Sequence, residues 1–424
     1  MLLEFSVGNF LSFKERKTLS MEATSISDYS DTNIVTIGGY KVLKSAVIYG
    51  ANSSGKTNLM KAFSQMKEII IRSASKSSTE KLGITPFLLN DKTEKAPSSF
   101  EVVFLLGEKR FRYGFEATSE SVKTEWLFER QKNKEYPLFI RDGEKIEVYP
   151  KFKEGEGLED KTRHNALFLS VVDQFNGKTA KQIIGWFGKA GSYSGLRHDN
   201  YRNYSLKLLK DEKMKPLLKD FYKYLNLGFE DFEVIKDIPD KDALMETSIQ
   251  LLMDSLPNLI SDNQMELVKT HHPQYNDAGE IVGLKKFEMI SQESAGTNKI
   301  FDLSGLILYT LLQGSLSVID ELDSKLHPLL TLGLSRLFHS HDDNPKNAQL
   351  IFATYDTNLL TYGKFRRDQI YFVEKNKYGA SDLYSLAEYK EEDGSKVRKD
   401  RSFEKDYIQG RYGAIPFLGD FKLI

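Results

Sequence analysis

Residues 50–57 have the composition and spacing of a loop that could bind phosphate groups. The stretch reads GANSSGKT, so that two glycines are followed by a lysine and a threonine. Backbone N–H groups of such a loop surround phosphate oxygens, while the lysine reaches the outer phosphates and the threonine hydroxyl ligates Mg²⁺. Glycine suits these positions because it has no Cβ to prevent close approach of the backbone. The candidate phosphate-binding residues are Gly50, Asn52, Ser53, Ser54, Gly55, Lys56 and Thr57.

A pair of carboxylates, Asp320 and Glu321, directly follows an apolar run at 316–319. Phosphoryl transfer to water needs a metal clamp and a group that positions or deprotonates the attacking water. Asp320 is predicted to support Mg²⁺, and Glu321 is predicted to be the general base. With the loop at 50–57, these residues predict hydrolysis of a nucleoside triphosphate, with ATP and Mg²⁺ as the bound groups.

The segments around the first motif predict the elements that position it. Ser45–Tyr49 is a short apolar run typical of a buried strand. After Thr57, apolar residues recur at helical spacing, so the loop is predicted to open a helix whose N-terminal dipole adds to the anion site. Further apolar runs at 316–321, 350–354 and 369–373 are separated by helical patterns, which is the alternation of a parallel sheet.

Other segments predict the remaining architecture. Residues 100–149 alternate apolar and polar side chains, and Asp142-Gly143 is a hairpin signal, so they predict a separate antiparallel sheet. Residues 21–40, with Gly38-Gly39, predict a loop. Between 165 and 260 the pattern is largely helical, including 214–225 and 243–256, but glycines and prolines interrupt it too often for a long coiled coil. Residues 265–270 and 281–290 predict a second hairpin around 276–279. The predicted fold class is α/β, a P-loop parallel or mixed sheet with an antiparallel β subdomain and a globular helical insertion. The predicted domains are an N-terminal ATPase lobe at 1–160, the insertion at 161–262 and a C-terminal ATPase lobe at 263–424.

The composition excludes several classes of site. The chain has 424 residues, 28% of them charged, with a net charge of -1 and no cysteine. Disulfides, thiolate zinc sites and cysteine nucleophiles are therefore excluded, and no global basic field indicates nucleic acid. No apolar run reaches 18 residues, and Glu4 lies where a signal peptide would be basic. We expect a cytoplasmic protein that does not associate with membranes.

The order of the motifs carries a resemblance to a known group of proteins. The P-loop is followed by Ser294-x-Gly296, by the two carboxylates and by a strand ending in Thr354-Tyr355-Asp356. This order resembles the ABC-type ATPase heads of the RecF, SMC and OLD group. Six further stretches resemble one branch of that group, the abortive-infection (RloA-like, AriA-like) ATPases of bacterial anti-phage defence: 9–13, 165–170, 293–297, 320–328, 354–360 and 410–416.

The resemblance implies roles for residues outside the P-loop. Ser294 and Gly296 would contact ATP bound to another subunit, which implies a homodimer or a higher homo-oligomer. Asp323 would lie on the loop that couples the two sites. Tyr355 occupies the position of the usual switch histidine, so it is predicted to be catalytic and the ATPase to be slow. Two departures concern the phosphate environment: Leu11 replaces a usual Arg or Lys, and Asn90 is only a placeholder for a lid glutamine.

Three functions follow as expectations. The first is an ATP-driven dimeric switch that controls a separate toxic effector protein, with a nuclease as the expected class. The second is a DNA-repair or DNA-clamping ATPase of the RecF kind, for which DNA would be the partner and a basic groove the expected sign. The third is an ATP-binding scaffold that hardly hydrolyses.

Overall fold

The computed structural model describes residues 1–132, 134–237, 265–391, 394–398 and 400–416. The chain forms two compact units, one comprising Met1–Leu196 with Tyr309–Ile424 and the other Arg197–Leu308. The first unit therefore contains both ends of the sequence. These units are not divided at 161 and 262, where the sequence pattern placed the ends of the insertion.

The described strands and helices have the following bounds. The strands are β1 Leu2–Gly8, β2 Lys17–Ser20, β3 Ile34–Ile37, β4 Tyr40–Leu43, β5 Ser45–Tyr49, β6 Ser98–Leu106, β7 Lys109–Ala117, β8 Val122–Gln131, β9 Lys134–Asp142, β10 Lys145–Val148, β11 Gly191–Ser194, β12 Asp231–Asp237, β13 Met265–Tyr275, β14 Ile281–Glu288, β15 Leu316–Asp320, β16 Gln349–Ala353, β17 Ile370–Lys375 and β18 Ser381–Ser385. The helices are α1 Ser30–Asn33, α2 Lys56–Arg72, α3 Phe168–Gln174, α4 Lys178–Lys189, α5 Arg202–Lys210, α6 Lys215–Leu225, α7 Met289–Gln292, α8 Ala295–Gln313, α9 Pro328–His339, α10 Asn358–Tyr362 and α11 Phe403–Ile408.

A six-stranded sheet of order β11-β15-β16-β5-β17-β18 lies at the centre of the first unit. Its first five strands are parallel, and β18 pairs antiparallel with β17. Strands β5 and β16 are buried along their whole length, which explains their continuous apolar sequence. The predicted mixed P-loop sheet is confirmed. Because parallel strands end at the same edge, the segments that follow β5, β15 and β16 meet there.

A seven-stranded antiparallel sheet, of order β10-β9-β8-β7-β6-β1-β2, forms the second layer of the first unit. The predicted antiparallel sheet at 100–149 is confirmed, including the β9-β10 hairpin, whose turn is Gly143-Glu144 with φ 60 at Gly143. The sheet is larger than the sequence indicated, since β1 and β2 extend it by pairing β1 with β6. Residues 21–40, interpreted as loop, also contain α1 and most of the β3-β4 hairpin.

Helices α3 and α4 belong to the first unit because a buried carboxylate fixes the start of α3. Glu125 of β8 accepts hydrogen bonds from the N–H groups of Phe168 and Leu169 at 2.6 and 3.0 Å. The hydroxyl of Tyr113 donates to the same carboxylate at 2.9 Å. This contact satisfies N–H groups that a helix start otherwise leaves without partners. It joins the stretch at 165–170 to the antiparallel sheet, so the first unit continues past residue 161.

The second unit combines helices with antiparallel strands. Its described residues contain α5, α6 and a three-stranded sheet of order β12-β13-β14. The predicted helix at 214–225 is confirmed as α6, and the predicted hairpin around 276–279 is confirmed as β13-β14. A helix predicted over 243–256 lies outside the described residues. The described part of the insertion is therefore not purely helical, because β12 starts at Asp231 within the segment interpreted as helical.

In the described part of the chain, no helix combines the length and the apolar character that crossing a membrane requires.

Candidate functional site

The loop between β5 and α2 has no space for side chains at its two flanking glycines. A Cβ at Gly50 would lie 2.3 Å from the carbonyl oxygen of Val373, and a Cβ at Gly55 would lie 2.3 Å from Oγ of Ser381. Gly55 also has φ 120, a conformation that other residues rarely adopt. Asn52 and Ser53 are exposed at the tip of the loop, whereas Ser54 is buried. The glycines are thus needed for the shape of the loop, as the motif predicted.

Lys56 is nearly fully buried, with 4% of its surface exposed. Its ammonium donates to the carbonyl oxygens of Gly50 at 2.6 Å and Ala51 at 3.1 Å. It also lies 3.9 Å from the centre of the Tyr355 ring, which is a cation–π contact. Burial lowers the pKa of Lys56 to about 8, and the charge of Asp320 is the largest of the effects that oppose this shift.

Asp320 ends β15 beside the start of α2. Burial raises the pKa of its carboxyl group, and a hydrogen bond from Thr57 is the largest of the effects that oppose the shift. Its Oδ1 is buried and has no hydrogen-bond partner among the described residues. Glu321 follows with φ 51, a turn of the backbone that ends the strand. The carboxylates of Asp320 and Glu321 are both close enough to raise the pKa of Tyr355, after the larger effect of burial.

The segment after β16 brings Tyr355 to the same edge. Its backbone N–H donates to Oδ2 of Asp323 at 3.1 Å, and its side chain is 45% exposed. The next residue, Asp356, is held from two sides, because its N–H donates to Oγ1 of Thr354 and its carbonyl accepts from the hydroxyl of Tyr49. The structure therefore assembles predicted site residues from three segments: Lys56, Thr57, Asp320, Glu321, Asp323 and Tyr355.

This arrangement fits a nucleotide that arrives with Mg²⁺. Mg²⁺ is usually bound through one or two carboxylates together with substrate phosphates. The unpartnered Oδ1 of Asp320, next to Thr57, suits that chemistry. No group of three or more His, Cys, Asp or Glu side chains in the described ranges could hold a metal by itself. Thr57 and Asp320 would hold the ion, and Lys56 with the N-terminus of α2 would bind the phosphates.

Ser294 and Gly296 lie in the second unit, at the start of α8. Ser294 is exposed, and its Oγ accepts the N–H of Thr297 at 3.1 Å, an arrangement that caps the helix. Asn298 supports this turn from beneath, because its Nδ2 donates to the carbonyl of Ser294 at 3.2 Å. The contact of Ser294 and Gly296 with another subunit's ATP remains a prediction.

Two serines that sequence analysis missed contact the P-loop from distant segments. Oγ of Ser381 lies 2.5 Å from the carbonyl oxygen of Ser54 and 2.7 Å from Oγ of Ser12, within hydrogen-bond distance of both. Oγ of Ser12 also accepts from Nδ2 of Asn58 in α2 at 2.8 Å. Ser12 lies in the stretch 9–13, for which the resemblance assigned no role to the serine, and Ser381 lies in no pattern that distinguishes it from other serines of the chain.

The residues noted as departures from the family pattern have structural contacts. Leu11 has φ 50, and its N–H donates to the carbonyl of Thr85 at 3.0 Å. Oδ1 of Asn90 accepts the N–H groups of Lys92 and Thr93, so Asn90 stabilises a turn of its own loop.

The comparisons with known proteins place the chain among ATPases. The family described as "AAA domain, putative AbiEii toxin, Type IV TA system" matches residues 45–361, a range that includes the P-loop, both carboxylates and Tyr355. None of the curated proteins matches the chain significantly. Among solved structures, the SMC head domain from Thermotoga maritima is similar, with 14% identity and a TM-score of 0.40 over 91% of this chain and 98% of that chain.

Proposed function

The chain belongs to the ATPase family described as "AAA domain, putative AbiEii toxin, Type IV TA system", and we propose that it binds and slowly hydrolyses ATP with Mg²⁺ to control a separate toxic effector. The observation that carries the ATPase proposal is the convergence of three segments on one edge of the central sheet. Lys56 lies between the P-loop carbonyls and the Tyr355 ring. Asp320 contacts Thr57 there and keeps one carboxylate oxygen unpartnered within the described residues.

Each residue has a distinct role in this proposal. The P-loop N–H groups and Lys56 bind and orient the triphosphate, while Thr57 and Asp320 hold the metal. Glu321 accepts a proton from the attacking water. Mg²⁺, when bound, neutralises charge on the phosphate oxygens. Tyr355 presents a neutral hydroxyl where a histidine could become cationic, which supports a low turnover rate.

The ATPase proposal is tested by two substitutions that separate binding from chemistry. Lys56→Ala removes a phosphate-binding charge, so nucleotide affinity should fall strongly. Glu321→Gln removes only the proton acceptor, so ATP should still bind while turnover is lost. Binding is measured by calorimetry and turnover by release of phosphate. Equal loss of binding in both variants would contradict the role of Glu321.

We further propose that two copies form composite sites, each with the P-loop of one copy and the Ser294-x-Gly296 turn of the other. The N–H groups at the start of α8 suit an anion supplied by another copy. Lys56→Ala chains and Ser294→Arg chains should each be inactive, whereas a mixture should regain activity at one site of each mixed dimer. Mixed dimers that form and remain inactive would rule out composite sites.

Control of an effector is proposed from the family description and the anti-phage resemblance. A protein effector is preferred to DNA because the net charge of -1 gives no general basic surface. In cells that carry this gene with its neighbours, Lys56→Ala should change protection against phage or the toxicity of the neighbouring product. Unchanged protection and toxicity would argue against this control, and salt-dependent binding of purified protein to duplex DNA would favour a DNA clamp.

A further inference from the structure

The short helix α11, near the C-terminal end of the described chain, contacts two of the three segments that form the nucleotide site. Tyr407 of α11 is 8% exposed and packs against Tyr49, the last residue of β5, with ring centres 5.6 Å apart. It also stacks on Phe372 of β17 at 5.3 Å. These contacts place Tyr407 directly under the start of the P-loop.

The hydroxyl of Tyr407 is a polar contact to the P-loop itself. Its O–H donates to the carbonyl of Ala414 at 3.1 Å, and its oxygen faces the backbone N–H of Gly50, the first residue of the motif, closely enough to oppose the rise that burial causes in the pKa of Tyr407. Gly50 has little freedom, because its Cβ position is occupied by the carbonyl of Val373 and its own carbonyl accepts from Lys56. Tyr407 thus lies against the end of β5 and beside Gly50, the residue whose carbonyl accepts from the P-loop lysine.

A second residue of α11 holds the segment that carries Tyr355. The carboxylate of Glu404 accepts from Oγ1 of Thr357 at 3.2 Å and from Oγ1 of Thr361 at 2.7 Å. Thr357 lies two residues after Tyr355, and Thr361 lies in α10. One six-residue helix therefore contacts both the strand that leads into the P-loop and the segment that follows Tyr355.

The C-terminal segment is itself held to the edge of the sheet by aromatic residues. Tyr412 packs on Phe372 at 5.6 Å, and its carbonyl accepts the hydroxyl of Tyr384 at 2.6 Å. The hydroxyl of Tyr412 donates to Asp406 of α11 at 3.0 Å. Gly413 has φ 65, a conformation that other residues rarely adopt, so this turn favours glycine. The segment that sequence analysis identified only by resemblance, 410–416, thus anchors α11.

We propose that Tyr407 and Glu404 are positioning residues of the nucleotide site, through which α11 sets nucleotide affinity without touching nucleotide. This inference rests on the proposed ATP binding. Tyr407 holds the P-loop in the shape that accepts phosphate, and Glu404 holds the loop that places Tyr355 over Lys56. If nucleotide displaces Tyr355 from Lys56, the displacement also acts on α11, because Glu404 of α11 binds Thr357 and Thr361 in the segment that follows Tyr355.

The test is Tyr407→Phe, with Tyr371→Phe as the matched control. Both changes remove one buried tyrosine hydroxyl, but the Tyr371 hydroxyl bonds the backbone of Ser20 in β2 rather than the P-loop or the segment that anchors α11. The ligand is the non-hydrolysable analogue adenylyl-imidodiphosphate with Mg²⁺, and Kd is measured by calorimetry. Tyr407→Phe should raise Kd by about fivefold, the typical effect of one net hydrogen bond. Tyr371→Phe should leave Kd unchanged while lowering thermal stability to a similar extent.

Two outcomes would overturn the inference. If both tyrosine variants change Kd equally, Tyr407 only stabilises the fold. The second outcome concerns hydrogen exchange at the amides of α11, measured with and without the analogue. If the analogue slows this exchange equally in wild type and in Glu404→Gln, the helix is not coupled to the site. A wild type that binds the analogue no better than Lys56→Ala would instead contradict the proposed ATP binding, so the two failures are distinguishable.

Discussion

The contact between Lys56 and Tyr355 predicts that the aromatic ring competes with phosphate for the P-loop lysine. The ammonium lies 3.9 Å from the ring centre and Lys56 is 4% exposed, so its charge is largely desolvated. Cation–π contacts contribute about 0.5–1 kcal/mol at exposed sites and about 2 when desolvated. Because the Tyr355 ring is itself 45% exposed, we take about 1 kcal/mol, which is roughly fivefold in affinity.

Tyr355→Ala should therefore bind the non-hydrolysable ATP analogue about fivefold more tightly than wild type. Tyr355→Phe is the matched control, because phenylalanine keeps the ring face and loses only the hydroxyl. Its Kd should stay close to that of wild type. The two variants also retain the backbone N–H that donates to Asp323, so the loop is not released. Calorimetry at fixed pH and ionic strength gives the three Kd values.

Tyr355→His tests the same position by turnover instead of affinity. A histidine can become cationic near neutral pH and can stabilise charge that develops on phosphate, whereas tyrosine donates only a neutral O–H. The variant should hydrolyse ATP faster than wild type. Tyr355→Ala with unchanged or weaker binding would refute the competition between ring and phosphate. A histidine variant no faster than wild type would refute the tyrosine as the cause of slow turnover.

Two further substitutions test the shape and the stability of the first unit. Gly55→Ala should destabilise the protein by about 1–3 kcal/mol and weaken nucleotide binding, because its Cβ would lie 2.3 Å from Oγ of Ser381. The control is Gly185→Ala in α4, where a Cβ meets no atom within 4 Å, so this variant should neither lose stability nor bind nucleotide more weakly. Stability is measured by thermal melts and binding by calorimetry. His339 should make folding sensitive to acid, because burial lowers its pKa to about 3 while the unfolded chain binds a proton near pH 6.5. The free energy of unfolding should fall by about 2 kcal/mol between pH 7.5 and 5, and urea titrations of His339→Gln should lack this part of the loss.

The elements that are predictable from the sequence are those whose signal is local. The P-loop motif between an apolar run and a helical pattern correctly predicts β5 and α2, because glycine positions and hydrophobic periodicity directly reflect the backbone. The apolar run that ends in Asp320 likewise gives β15. The strand order could not be derived in the same way, and neither could the addition of β1 to the antiparallel sheet, since pairing depends on partners far along the chain.

The sequence by itself determined which residues could bind phosphate and metal, because that chemistry depends on residue type and on short spacing. Tertiary structure decided which side chains support them. Ser381 meets Ser12 across 369 positions, and Tyr407 reaches Gly50 from the opposite end of the chain. No periodicity marks such pairs, because a contact between distant segments arises only when the whole sheet has brought them to one edge. The same reason explains why the first unit continues past residue 161. The start of α3 joins this unit through its hydrogen bonds to Glu125, and that contact exists only in the folded chain.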